Sequence, residues 1–81
     1  MKLRKEIDEI DKEIIRLLSK RFQYVRTIVE KKQKDEIPIY DPKREKELQE
    51  MHKTLAVELG LNPDLILEIF EKIFHETKRQ A

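Results

Sequence analysis

Leu3-Arg4-Lys5-Glu6-Ile7-Asp8-Glu9-Ile10-Asp11-Lys12-Glu13-Ile14-Ile15-Arg16-Leu17-Leu18-Ser19-Lys20-Arg21-Phe22-Gln23-Tyr24-Val25-Arg26-Thr27-Ile28-Val29 is the stretch that decides the fold. Apolar residues recur at Leu3, Ile7, Ile10, Ile14 and Leu17, then at Tyr24 and Ile28, in the alternating steps of four and three that mark a coiled-coil seam. Ile15, Leu18, Val25 and Val29 widen the stripe, and neither Gly nor Pro interrupts the first 37 residues. The spacing predicts one helix from about residue 3 to about residue 33, roughly 45 Å long. A compact chain of 81 residues has a radius of gyration of only about 12 Å. The helix must therefore project beyond its own chain, and its seam needs another surface, most simply a second copy in a twofold dimer.

Outward from this helix, the apolar period breaks at Asp35-Glu36-Ile37-Pro38-Ile39-Tyr40, which reads as a loop because Pro38 disfavours helix for the residue before it. Asp41-Pro42 restarts a helix, with Asp41 as N-cap and Pro42 at the first helical position, and Leu48, Met51, Leu55 and Leu59 form its stripe. Gly60 suits a left-handed C-cap, and Asn62-Pro63 repeats the start signal. The third helix carries Leu65, Ile66, Ile69, Phe70, Ile73 and Phe74 on one face. The expected architecture is a single all-α domain over residues 1–81, with one long and two medium helices.

Composition narrows the function. Hydrophobic residues make up 38% and charged residues 43%; 18 Lys and Arg against 17 Asp and Glu leave a net charge of +1. The charges are interleaved, so no bulk attraction to nucleic acid or anionic lipid is encoded. The absence of cysteine removes thiol and disulfide chemistry and favours a reducing, cytoplasmic setting. No apolar run is long enough for a signal or membrane segment.

Several residues depart from the apolar pattern. Arg21 occupies the seam position between Leu17 and Tyr24 where a leucine is expected. Either its head snorkels or pairs with a carboxylate across a helix interface, or a guanidinium in an apolar cavity binds an anion through parallel hydrogen bonds. Lys32 is eleven residues further on, only about 20° away around the helix, yet it also belongs to the basic run Lys31, Lys32 and Lys34. Arg4, about 25 Å from Arg21 along the helix, reads locally as an i,i+4 partner of Asp8. A cation such as Arg44 opposes the dipole at a helix start, which suggests a carboxylate partner. Thr77 continues the face of Ile66, Phe70 and Ile73, with a hydroxyl that can bond back to the preceding turn. His52 and His75 lack a glutamate three residues earlier, so no helical metal site is expected.

Taken together, Leu3-Arg4-Lys5-Glu6-Ile7-Asp8-Glu9-Ile10-Asp11, then Ile14 through Arg21, then Lys32 and Ile37-Pro38-Ile39-Tyr40-Asp41-Pro42-Lys43-Arg44-Glu45 resemble the all-α chorismate mutases. The match covers most of the chain without a gap, and the joint spacing of Arg4, Arg21, Lys32, Asp41, Arg44 and Glu45 is its specific part. The resemblance implies an entwined homodimer that converts chorismate to prephenate with no metal or cofactor. It implies that Arg21 and Arg4 of the partner subunit bind the two substrate carboxylates, and that Lys32 contacts a carboxylate and the ether oxygen. Asp41 and Glu45 would hold the ring hydroxyl, Arg44 would support the anionic end, and Thr77 stands where the family has a serine that bonds a carboxylate. A family glutamine or glutamate aimed at the ether oxygen falls at Ala81, one residue beyond Gln80. The same fold serves isochorismate pyruvate-lyases, and a non-catalytic helical dimer is the third reading.

Overall fold

The computed structural model describes the backbone of residues 1–35 and 42–80, and the side chains of 1–31 and 42–80. Three helices make up these residues: α1 (Lys2–Asp35), α2 (Pro42–Glu58) and α3 (Pro63–Gln80). Of the loop expected over Asp35–Tyr40, Asp35 instead closes α1, and the rest, with the Asp41 N-cap, lies outside the described residues.

The caps follow the local chemistry. At the end of α2 the Leu61 N–H donates to the Ala56 carbonyl at 2.8 Å and the Gly60 N–H to the Val57 carbonyl at 3.1 Å. This paired return is a Schellman motif, and it requires Gly60 at φ 74°, a left-handed conformation in which a side chain is strained. Asn62 then opens α3: its Oδ1 accepts the Asp64 N–H at 3.0 Å, satisfying one of the donors that a helix start leaves free. Asp64 lies in the first turn of α3 and Lys78 and Arg79 in the last, as the helix dipole favours.

α2 and α3 form the closely packed pair, and α1 meets α3 over a short stretch. The buried apolar residues are correspondingly few among those described: Val29 of α1, Ala56 of α2 and Phe74 of α3. The molecule extends 52 Å along its longest axis, with a radius of gyration of 15.3 Å, so the long helix does project beyond its own chain. Leu3, Ile7, Ile10, Ile14 and Leu17 are each between 52% and 60% exposed. The seam of α1 is thus formed as the periodicity predicts, but its N-terminal half has no cover among the described residues.

Candidate active site

Where α1 crosses α3, apolar side chains of both helices line a cleft of about 370 Å³. Ile14, Leu17 and Leu18 form one wall and Ile69, Phe70 and Ile73 the other, with Arg21 as the charged group among the lining residues. The volume suits a small organic ligand. Two other clefts, of about 420 Å³ each, run along the surfaces of α3 and α2, and none of the residues singled out as anion ligands lines them.

Two contacts orient Arg21. Its Nη1 donates to Thr77 Oγ1 at 2.9 Å, and its guanidinium carbon stands 5.7 Å from the centroid of the Phe74 ring, within cation–π range. Thr77 in turn donates its own proton to the Ile73 carbonyl one turn earlier, also at 2.9 Å. The hydroxyl therefore gives its single proton to its helix and offers a lone pair to the arginine. This back-bond is the one that the position of Thr77 predicts, and the hydroxyl also links α3 to α1. Burial lowers the pKa of Arg21 from its ordinary value. A guanidinium nonetheless stays charged in a protein, so the cleft carries a fixed, partly desolvated cation.

His52 of α2 lies against the same aromatic pair. Its ring stacks on Phe70 at 3.9 Å between centroids and 29° between planes, and lies 6.1 Å from Phe74. Its Nδ1 is out of contact with water and has no hydrogen-bond partner among the described residues. Burial, and then the charge of Arg21, push the imidazole pKa down. Sequence reasoning weighed His52 only as a metal ligand. The signal it passed over is that His52 lies four residues after Leu48 and four before Ala56; this row faces inward, whereas Met51, Leu55 and Leu59, expected to continue the stripe, are 50% to 65% exposed.

The remaining predicted residues are more dispersed. Arg4 stands exposed on the first turn of α1, about 25 Å from Arg21 along the helix. Its expected local pair with Asp8 does not form among the described residues, since Arg4 is absent from the ion pairs. An exposed i,i+4 pair gains only a few tenths of a kcal/mol, too little to hold two long side chains together. Arg44 finds its carboxylate in Glu47 at 3.9 Å, in an exposed pair that contributes little. Glu45, next to it in the first turn of α2, is half-buried. Lys32 lies within α1, but its side chain is outside the described residues, as are Asp41 and Ala81. Gln80 bonds Glu76 at 3.3 Å, and its Oε1 is buried with no partner among the described residues. No group of three or more His, Cys, Asp or Glu side chains among them is placed to hold a metal ion.

The fold and cleft define a helical protein with an apolar cleft that holds one arginine. The chain matches the chorismate mutase type II family over residues 3–81, and it belongs to that family. It is 33% identical over 76 residues to a chorismate mutase of Methanocaldococcus jannaschii, a match covering 94% of this chain and 77% of that protein. It is also 36% identical over 75 residues to a T-protein of Enterobacter agglomerans, and 40% identical over 77 residues to a bifunctional chorismate mutase/prephenate dehydratase of Buchnera aphidicola. These two matches cover 93% and 95% of this chain, which spans 20% of the length of either relative. No solved structure gives a significant match.

Proposed function

We propose that this chain is a chorismate mutase, working as an entwined homodimer in which each site takes one arginine from the neighbouring chain. The observation that carries this reading is Arg21, fixed by Thr77 in the wall of an apolar cleft within a chain of this family. The uncovered seam of α1 supports the dimer. The chain exposes 7134 Å² of surface, whereas a compact monomer of its mass exposes about 5,200 Å². The excess is on the scale of a specific protein interface.

In the dimer, Arg21 and Arg4 of the partner subunit grip the two carboxylates, an antiparallel α1 closing the distance that separates the two arginines within one chain. Lys32 directs its ammonium at the ether oxygen. Asp41 and Glu45 hold the ring hydroxyl, and Arg44 supports the anionic end. Thr77 steadies the Arg21 guanidinium and stands beside the carboxylate that it binds.

The reaction is a cyclic shift of electrons within one molecule: the ether C–O bond breaks as a C–C bond forms, and no atom is gained or lost. The side chains hold the enolpyruvyl arm over the ring and set cations where negative charge gathers on the ether oxygen. A millionfold acceleration needs about 8 kcal/mol. One well-aimed donor supplies about 3 kcal/mol, so Lys32, an arginine and the enforced conformer together reach that scale.

The test is proton NMR of the products formed from chorismate and, separately, from isochorismate, with Arg21→Ala as control. Prephenate from the wild type and none from the variant supports the reading. Salicylate and pyruvate from isochorismate make the protein a pyruvate-lyase instead, and inactivity toward both leaves the non-catalytic helical dimer.

A further inference from the structure

His52 is the titratable group near the anion cleft for which the proposed reaction has no use. Its ring is clamped against Phe70, the neighbouring Phe74 ring supports the Arg21 guanidinium, and its Nδ1 is buried without a hydrogen-bond partner among the described residues. Among the described residues the charge that bears on it is that of Arg21. Arg21 faces it from α1, Glu45 stands two turns earlier on its own helix, and Lys78 follows Phe74 by one turn on α3. We infer that His52 is a positioning residue of this site, which takes up a proton as a dianionic ligand seats on Arg21 and thereby tightens the hold on that ligand.

The argument is one of differences. In the empty cleft burial, and then the charge of Arg21, lower the proton affinity of the His52 imidazole. A ligand whose two carboxylates are shared between Arg21 and Arg4 of the partner subunit adds negative charge at the cleft, whereas every protein cation is present both before and after binding. The ligand is thus the only change, and it raises the proton affinity of the imidazole. The Phe70 ring face adds a favourable site for the cation once it forms. By linkage, a proton bound with the ligand means tighter ligand binding as pH falls. The inference rests on the chorismate mutase reading for the identity of the dianion.

Calorimetric titration with prephenate, in two buffers of different ionisation enthalpy, reads the proton directly. At about pH 6.5, near the ordinary imidazole range, the wild type takes up a fraction of a proton per site, and at about pH 8.5 the uptake disappears as affinity falls several-fold. His52→Gln binds prephenate with the uptake abolished, while His75→Gln retains it. A second readout needs no variant at His52: of the two imidazole C2–H resonances in the wild type, the one that His75→Gln leaves in place titrates at higher pH when prephenate is bound. Binding of prephenate with no proton uptake, or uptake that survives His52→Gln, overturns the inference and leaves the mutase reading standing. Failure of prephenate to bind at all overturns both.

Discussion

Arg21 and Thr77, 56 positions apart in sequence, share a 2.9 Å hydrogen bond that sets the direction of the guanidinium in the cleft wall. Because Thr77 has already given its proton to Ile73, its contribution to Arg21 is a lone pair, and valine removes that lone pair at nearly constant shape. Thr77→Val should leave the helicity intact and lower kcat/KM for prephenate formation by about tenfold, the scale of one hydrogen bond, with Thr77→Ser close to wild type. Arg21→Ala should cost about 3 kcal/mol of transition-state stabilisation. If the hydroxyl acts through the arginine, the double variant is no worse than Arg21→Ala alone, and a strictly additive loss in the mutant cycle would refute it.

Acid should loosen the fold through His52. Its folded-state pKa is depressed by burial and by Arg21, so below the ordinary imidazole value of about 6.5 the unfolded chain binds more protons than the native one. Stability therefore rises with pH through that window and is fully present above it. The melting temperature of the ligand-free protein should fall between about pH 7 and about pH 5, and the part of the fall due to His52 should vanish in His52→Leu. Equal slopes for the two proteins would remove His52 from the acid response.

The joint between α2 and α3 is sensitive to backbone conformation. Gly60 adopts φ 74° and a Cβ there would meet nothing within 4 Å, so Gly60→Ala is penalised by conformation alone. The expected loss is about 1 kcal/mol, and Asn62→Ala, which deletes the α3 cap, should lose a similar amount, about 1 kcal/mol. Chemical denaturation at fixed protein concentration measures both.

Ile10 lies on the uncovered face of α1. Its replacement by glutamate is nearly neutral for an isolated chain, whereas in a dimer it buries an unpaired charge. Light scattering on the wild type should give twice the 9.9 kDa chain mass, and Ile10→Glu should lose that species together with activity. A wild type that scatters as a single chain would end the dimeric reading.

Much of the architecture was legible because helices announce themselves locally. The four-three spacing from Leu3 to Ile28 located α1, and Gly60 and Asn62-Pro63 marked the turn into α3 with its cap. The interruption at Arg21 also led to the cleft, since a cation in an apolar seam is visible in one dimension. What periodicity cannot supply is the companion across the fold. Nothing around Thr77 names Arg21 as its donor, and nothing around His52 announces Phe70. Both relations arise where helices distant in sequence meet. The Arg4–Asp8 pairing misled for the opposite reason, as spacing permits it and energetics scarcely reward it.

The unequal sharing of contacts among the helices has a kinetic side. Only four residues separate α2 from α3, and the two lie along each other, so their pairing is a local closure of the kind that occurs within microseconds to milliseconds. The N-terminal turns of α1 have no such shortcut. On the dimeric reading they must wait for a second chain to diffuse in, and refolding should split into one phase indifferent to dilution and another that slows with it. A newly made molecule in a sparse population would then pause as a finished hairpin trailing a bare helix, with the supply of its own copies setting how long.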